Sequence, residues 1–221
     1  MRNGFVSEMD VVGGPEEEWP FDGIEVLICE DEYLLATDLA YRFQSGGARV
    51  LGPAATLAGS LEMATLANRL GAAVLDIRLG DDLIFPVADI LAARGVPFVF
   101  FSGYDDIVLP DRFSHARRLS KWLEIDRVLV AVLAERVLGC ATAGKPLVRY
   151  GNSEIGAILP SLRLLARLLV GEAEGDDLVE KTLERAIAEI ARRSAYTSVA
   201  RWLITLLEEV WLERQIRRYL H

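Results

Sequence analysis

The sequence predicts an α/β domain built on a five-stranded, doubly wound parallel sheet, followed by a small all-α bundle. First, five short apolar runs alternate with helical patterns between residues 24 and 139. Second, only helical periodicity follows a stretch with Gly, Pro and Asn at 140–152. Third, 52% of the 221 residues are hydrophobic and 26% are charged, as in proteins with a packed core. We therefore divide the chain into a tail (1–23), an α/β domain (24–139), a linker (140–152) and a three-helix output domain (153–221).

The apolar runs have the length of strands buried inside a parallel sheet. In chain order, we predict strands at 24–29, 48–54, 72–75, 96–101 and 117–120. Helices are predicted at 34–43, 57–70, 85–94 and 125–138, where apolar residues recur at helical spacing. The remaining connection, 107–116, is poorly patterned and predicts a short helix. Five βα units of this kind place helices on both faces of the sheet.

The C-terminal third contains three further amphipathic segments, and short connections between them predict a helix bundle. These segments are 155–170, 176–191 and 196–220, with a turn at 171–175. The last helix has surplus apolar residues off its main stripe, which predict a partner, a dimer contact or packing on the α/β domain. The surplus residues are Ile204, Leu212, Ile216 and Leu220.

Polar residues capable of chemistry follow the predicted strands. Glu30 and Asp31 follow the first strand, Asp76 the third, Ser102 the fourth and Lys121 the fifth. Ligands of open parallel sheets bind beyond the carboxyl ends of the strands. Because the first and third strands are neighbours in this topology, we expect the three acids to converge at one edge of the sheet.

Crowded carboxylates raise one another's pKa unless a cation offsets their charge. Mg²⁺ prefers oxygen ligands and keeps several waters. We expect Asp31 and Asp76 to bind it directly, Glu30 through water, and the backbone carbonyl of Arg78 to complete the set. Asp76 can then attack a phosphorus atom, while Lys121 and the hydroxyl of Ser102 offset the developing charge.

With these motifs, residues 24 to about 138 resemble the receiver domain of two-component response regulators, which has a flavodoxin-like, CheY-like fold. The matching motifs are VLICEDE (26–32), LDIRLG (75–80), FSG (101–103) and LSK (119–121). The resemblance implies a phosphoacceptor rather than an enzyme, phosphorylated on Asp76 by a histidine kinase or phosphotransferase. It assigns the acidic pair to Glu30 and Asp31, the switch hydroxyl to Ser102 and phosphate binding to Lys121.

The segment PFVFFSGY (97–104) also resembles a receiver subgroup with the signature Pro-Phe-x-Phe-Ala-Thr-Gly-Tyr. Many receivers have an aromatic switch residue three positions before the lysine, where this chain has Arg118. We therefore take Tyr104 as the substitute. The family also has a proline, in a cis bond, after the lysine, where this chain has Trp122. A cis bond before another residue costs about 2.5–4 kcal/mol, so we expect either a trans bond with a displaced Lys121 or a strained cis bond.

A phosphatase of the haloacid-dehalogenase type also uses a nucleophilic Asp at a strand end. Such an enzyme needs a second acid two residues later, and Arg78 occupies that position. The two histidines, His115 and His221, do not lie in a helical context like that of a kinase. We therefore expect the phosphoryl donor to be another molecule.

The helical region is similar to region 2 of extracytoplasmic-function sigma factors. It is more similar to the sigma-like domain of general-stress-response regulators that sequester an anti-sigma factor. The motifs are LPSLR (159–163), GDDLVEKTLERA (175–186) and RWL (201–203). In those regulators the sigma-like domain precedes the receiver, whereas here the order is reversed. The resemblance implies an anti-sigma factor as the partner.

Charge and targeting signals limit the remaining alternatives. The net charge of −9 argues against binding to nucleic acid, which is dominated by phosphate contacts. No signal peptide, membrane-spanning stretch or disulfide framework is indicated, so we expect a cytoplasmic protein without membrane contacts.

Two alternatives to a phosphorylated regulator stay open. One is a phosphorylation-independent scaffold that forms a homodimer through its C-terminal helices. The other is a DNA-binding regulator that uses Arg214, Arg217 and Arg218.

Overall fold

The computed structural model describes residues 21–103, 107–114, 116–121, 125–142, 154–193 and 198–219. The strands are β1 (Glu25–Cys29), β2 (Arg49–Ala54), β3 (Leu70–Leu75), β4 (Arg78–Leu79), β5 (Asp82–Leu83), β6 (Phe98–Ser102) and β7 (Arg118–Ser120). The helices are α1 (Tyr33–Ser45), α2 (Leu57–Leu66), α3 (Phe85–Ala93), α4 (Ile125–Thr142), α5 (Glu154–Val170), α6 (Glu172–Glu189) and α7 (Val199–Tyr219).

The predicted five-stranded parallel sheet is confirmed, with strand order β2-β1-β3-β6-β7. In the register, Cys29 pairs with Leu75, Leu75 lies opposite Phe100, and Ser102 pairs with Ser120. The carboxyl ends of the strands are therefore level, so the residues that follow them can meet at one edge. The short strands β4 and β5 form an antiparallel hairpin directly after β3.

Both faces of the sheet are buried, which explains why its strands are continuous apolar runs. Alternate residues of each strand face opposite sides. One side packs against α1 and α4, and it includes Val26, Ile28, Val74, Val99 and Phe101. The other side packs against α2 and α3, and it includes Leu27, Cys29, Ala73, Leu75 and Phe100.

The fourth connection differs from the predicted short helix. Within its described residues, 107–114 and 116–117, there is only a 3-10 turn at Asp111–Phe113. The ring of Phe113 is buried against the rings of Phe85, Phe98 and Phe100. Phe113 thus fills most of this position, with Ile107, Leu109 and Ala116 partly buried beside it. The segment therefore does not need the repeating apolar positions that a helix requires, and their absence explains its poor pattern.

Two predicted helix boundaries shift. Helix α2 ends at Leu66 instead of residue 70, where the guanidinium of Arg94 donates hydrogen bonds to the carbonyls of Ala64 and Ala67. Helix α4 continues to Thr142, three residues beyond the predicted linker boundary at 139. Residues 143–152 of that linker, residue 153 and residues 1–20 of the predicted tail lie outside the described part of the chain.

The predicted turn at 171–175 is wrong beyond its first residue, because α6 begins at Glu172. Gly171, with a φ of 80°, interrupts the helical conformation and so separates α5 from α6. Gly175 instead lies inside α6, where an added Cβ would come within 2.6 Å of Arg167 Cγ and 3.2 Å of its Cα. The absence of a side chain at Gly175 allows α5 and α6 to approach closely. The sequence alone does not show whether a glycine here has that role or forms a turn.

The predicted helical bundle is confirmed, and it packs on the α/β domain. Helix α4 lies between two layers, with the sheet and α1 on one side of it and α5 and α7 on the other. Its buried residues are Val128, Val130, Ala131, Val132, Leu133, Ala134 and Val137. Ile204 of the surplus apolar set is also buried in this shared core.

Membrane insertion was not expected from the sequence. Among the described residues, no helix has both the length and the apolar character needed to cross a membrane.

Candidate functional site

The structure brings the predicted acids together at the carboxyl edge of the sheet. Glu30 and Asp31 follow β1, and Asp76 follows β3. The backbone N–H of Asp76 donates to the carbonyl of Cys29 over 2.8 Å, which aligns the two strand ends. Glu30, Asp31 and Asp76 each contribute one carboxylate oxygen to a group whose members lie within 4.8 Å of one another.

Lys121, directly after β7, contacts two members of this group and one further acid. Its Nζ donates to Oδ2 of Asp76 over 2.7 Å, to Oε1 of Glu30 over 2.7 Å and to Oε1 of Glu32 over 3.0 Å. The backbone N–H of Lys121 donates to the carbonyl of Ser102 over 3.1 Å. The short strand pair β6–β7 therefore fixes the lysine against the acids.

Burial dominates the electrostatics of the acids. The side chains of Glu30, Asp76 and Ser102 are buried. Burial raises the pKa of Glu30 to about 7, although its hydrogen bonds from Lys121 and the backbone of Glu32 act in the opposite direction. Burial likewise raises the pKa of Asp76. For Lys121, burial lowers the pKa, but the hydrogen bonds to Asp76 and Glu30 outweigh it and raise the pKa above its usual range.

The hairpin of β4 and β5 closes one side of the site. The backbone N–H of Arg78 donates to Oδ1 of Asp76 over 3.2 Å. The backbone N–H of Gly80 donates to Oδ2 of Asp31 over 2.9 Å. Gly80 has a φ of 60°, a conformation that glycine adopts without steric cost. The backbone of Arg78, from which the sequence predicted a metal ligand, therefore lies beside Asp76.

The donor set fits a divalent cation. The second carboxylate oxygen of Glu30, Oε2, is buried and has no hydrogen-bond partner. A buried acceptor without a partner is unfavourable, and most such atoms in native proteins are satisfied. An ion among Glu30, Asp31 and Asp76 would supply the missing partner, and three carboxylates are ligands suited to Mg²⁺.

Other predicted residues are partly or wholly outside this geometry. Ser102 is buried at the end of β6, opposite Ser120 of β7. Tyr104 and Trp122 lie outside the described residues, so the expectations for them stay predictions. Arg118, at the expected aromatic position, donates from Nη1 to the carbonyl of Ile107 over 2.8 Å. It thereby holds the segment before the 3-10 turn against β7.

Sequence reasoning missed Glu32 as a member of the site. It belongs to the matching motif, but a third acid directly after an acidic pair is also the ordinary composition of an exposed helix start. No sequence pattern shows that its carboxylate reaches Lys121. That contact depends on the distance between β1 and β7, which lie three strands apart in the sheet.

Comparison with known proteins finds a family match in the helical region and a similar regulator. Residues 155–208 match a family described as the Sigma2 domain of PhyR. The phyllosphere-induced regulator PhyR of Methylorubrum extorquens is 34% identical over 96 residues, covering 42% of this chain and 34% of that protein. The chain thus spans about a third of the length of this relative.

Solved structures that include a response regulator receiver protein resemble about half of the chain. SdrG from Sphingomonas melonis is 35% identical and covers 50% of this chain and 96% of its own, with a TM-score of 0.44. A response regulator receiver protein from Sinorhizobium medicae is 22% identical and covers 51% of this chain and 96% of its own, with a TM-score of 0.44.

The parallel sheet and the lysine among three acids at its carboxyl edge define a receiver domain. A sigma-like region follows this domain in the chain. The chain therefore resembles PhyR-like response regulators in having a receiver-like domain together with a region similar to the Sigma2 domain of PhyR.

Proposed function

We propose that this regulator is phosphorylated on Asp76 by a histidine kinase or phosphotransferase. The observation that supports the proposal is the 2.7 Å contact between Lys121 Nζ and Asp76 Oδ2 in a cluster of three carboxylates. In this proposal, Glu30, Asp31, Asp76 and the backbone carbonyl of Arg78 hold Mg²⁺. The bound ion would offset the charge of the incoming phosphoryl group.

A carboxylate oxygen of Asp76 attacks the phosphorus of the donor. A P–O bond forms, the P–N bond of the phosphohistidine breaks, and the imidazole leaves with its electron pair and takes up a proton. The ammonium of Lys121 stabilises the negative charge on the phosphoryl oxygens, and the hydroxyl of Ser102 donates a hydrogen bond to them. The product is an acyl phosphate, and the chain acts as a phosphoacceptor with no substrate turnover.

The contact between the receiver and the helical region suggests how this change reaches the output. Arg117 directly precedes β7, and Lys121 directly follows it. Nη1 of Arg117 donates to Oε1 of Glu208 on α7 over 2.6 Å, and a second hydrogen bond joins Nη2 to Oε2. Arg201 of α7 pairs with Glu135 of α4 over 2.7 Å. We propose that movement of Lys121 toward a phosphoryl group shifts β7 and weakens the contact between Arg117 and Glu208.

The output in this proposal is protein binding by the sigma-like region, with an anti-sigma factor as the partner. The described part of the bundle exposes the apolar side chains of Ile187, Ile190 and Ile216, which suit a protein surface. We also propose that the receiver domain ends with α4, that the output domain begins near residue 153, and that the protein acts in the cytoplasm.

Phosphorylation is tested by incubating the full chain with Mg²⁺ and acetyl phosphate and measuring the intact mass. We expect one labile phosphoryl adduct, which is lost in Asp76→Asn and retained in the matched control Asp82→Asn. An adduct that persists in Asp76→Asn, or none in the unaltered protein, would refute the proposal.

The output is tested by binding of a candidate anti-sigma factor to the unaltered protein, with and without the phosphodonor. We expect affinity to change only when the phosphodonor is present and Asp76 is intact. The alternative of a homodimeric scaffold predicts a dimer in sedimentation experiments that is insensitive to the phosphodonor.

A further inference from the structure

The ammonium of Lys121 has no free donor. A lysine carries three N–H groups, and three carboxylates lie within hydrogen-bond distance of its Nζ. Asp76 and Glu30 are each 2.7 Å away, and Glu32 is 3.0 Å away. A phosphoryl group on Asp76 would bring three strong acceptor oxygens and close to two negative charges. Phosphorylation converts the Asp76 carboxylate to an acyl phosphate and so frees one donor of Lys121, but a second donor for the phosphoryl oxygens requires release of Glu30 or Glu32.

We propose that Glu32 is a positioning residue that competes with the phosphoryl group for Lys121 and so limits how strongly this site accepts phosphorylation. The inference rests on the proposed function of Asp76. It adds a fourth acidic side chain, whose role is opposite to that of the acids proposed to bind the ion. Glu30, Asp31 and Asp76 favour phosphorylation by holding the cation, whereas Glu32 opposes it by occupying the lysine.

Glu32 is the partner that Lys121 can release most easily. Its side chain is 67% exposed, whereas those of Glu30 and Asp76 are almost fully buried. A released Glu32 carboxylate regains contact with water. Release of the buried Glu30 carboxylate would leave a charged group without its partner in the protein interior, which costs far more.

Within the described part of the chain, Lys121 is the side-chain partner found for the Glu32 carboxylate. Glu32 is the N-cap residue of α1, but its side chain accepts no capping hydrogen bond. It is not one of the three clustered carboxylates. Its backbone N–H donates to Oε1 of Glu30 over 3.0 Å, and this contact fixes the residue where its side chain reaches Lys121.

The test measures binding of beryllofluoride, a phosphoryl analogue, to the full chain by calorimetry in saturating Mg²⁺. Exposed ion pairs are weak, so we expect Glu32→Gln to bind the analogue about two- to fivefold more tightly. Glu32→Ser also removes the carboxylate and supplies a capping hydroxyl. It should show the same gain in affinity together with a higher melting temperature. The matched control is Asp81→Asn, which removes an exposed charge from the hairpin after Asp76.

Each result separates the inference from the proposed function. If the unaltered protein binds no analogue, the proposed function fails and the inference fails with it. If the unaltered protein binds it and both Glu32 variants bind equally or more weakly, only the inference is overturned. If Asp81→Asn increases the affinity for beryllofluoride equally, the effect is general charge repulsion and the inference is overturned. A severalfold loss of Mg²⁺ affinity in Glu32→Gln would make Glu32 part of the metal site, which also overturns competition for Lys121.

Discussion

The contact between Arg117 and Glu208 gives the sharpest test of how the sigma-like region is held on the receiver. The Glu208 side chain is 7% exposed and that of Arg117 is 22% exposed. Burial raises the pKa of Glu208, and the hydrogen bonds from Arg117 act in the opposite direction. Replacing Glu208 with Ala therefore leaves a largely buried guanidinium without its main partner.

Loss of one member of a buried ion pair costs about 3–5 kcal/mol. Arg117 is partly exposed and borders a cavity of about 420 Å³ between β7, α4, α6 and α7. Water can therefore partly solvate its charge, and we expect Glu208→Ala to lower the free energy of unfolding by about 2–4 kcal/mol. The control is Glu209→Ala, whose side chain is 47% exposed and pairs with Arg185 over 3.1 Å. It should cost less than about 1 kcal/mol.

The assay is urea denaturation, followed both by tryptophan fluorescence and by circular dichroism. If the receiver and the sigma-like region unfold as one unit, both probes report the same transition in the unaltered protein. The double variant with Met at both Arg117 and Glu208 should recover most of the lost stability, because an apolar pair can replace a buried ion pair. A loss no larger than that of Glu209→Ala would refute the inference that this contact holds the two regions together.

Three further changes test the site and the fold through the free energy of unfolding. Because burial raises the pKa of Glu30 to about 7, its stabilising contribution is present below about pH 4.5 and lost as the pH rises through 7. Glu30→Gln should therefore stabilise the metal-free protein by about 1–2 kcal/mol at pH 8 and less at pH 5. Mg²⁺ should stabilise this variant less than the unaltered protein, because Asp31 and Asp76 remain as ligands. Gly52→Ala should cost more than about 2 kcal/mol, since a Cβ would lie 2.8 Å from the carbonyl oxygen of Ile28. Gly80→Ala, also at positive φ but in open space, should cost less. Phe21→Ala should cost about 3–5 kcal/mol because that ring is fully buried, whereas the exposed Tyr41→Ala should stay within about 0.5 kcal/mol.

The strand pattern predicted both the sheet and the place of the site, for a general physical reason. Continuous apolar runs identify strands that are buried on both faces, and the first polar residue after each run lies at a strand end. Parallel strands put all their carboxyl ends at one edge. Glu30, Asp31, Asp76, Ser102 and Lys121 could therefore be placed together from residue order alone.

The fourth connection and the helix junctions could not be predicted in the same way. Phe113 fills most of its position on the sheet with a single ring, and one aromatic residue leaves no periodic pattern in the sequence. Gly175 allows α5 and α6 to approach closely, yet glycine is also the usual residue of turns. Both features depend on what lies opposite in space.

The sequence by itself determined the layers, the order of the domains and the acids at the strand ends, because these follow from local periodicity and from the direction of parallel strands. Only the tertiary structure decided the partners of those groups. It placed Glu32 on Lys121, left Oε2 of Glu30 without a hydrogen bond and set Glu208 against Arg117. Each of these contacts joins elements that are distant in the chain, so its geometry depends on the packing of the whole fold.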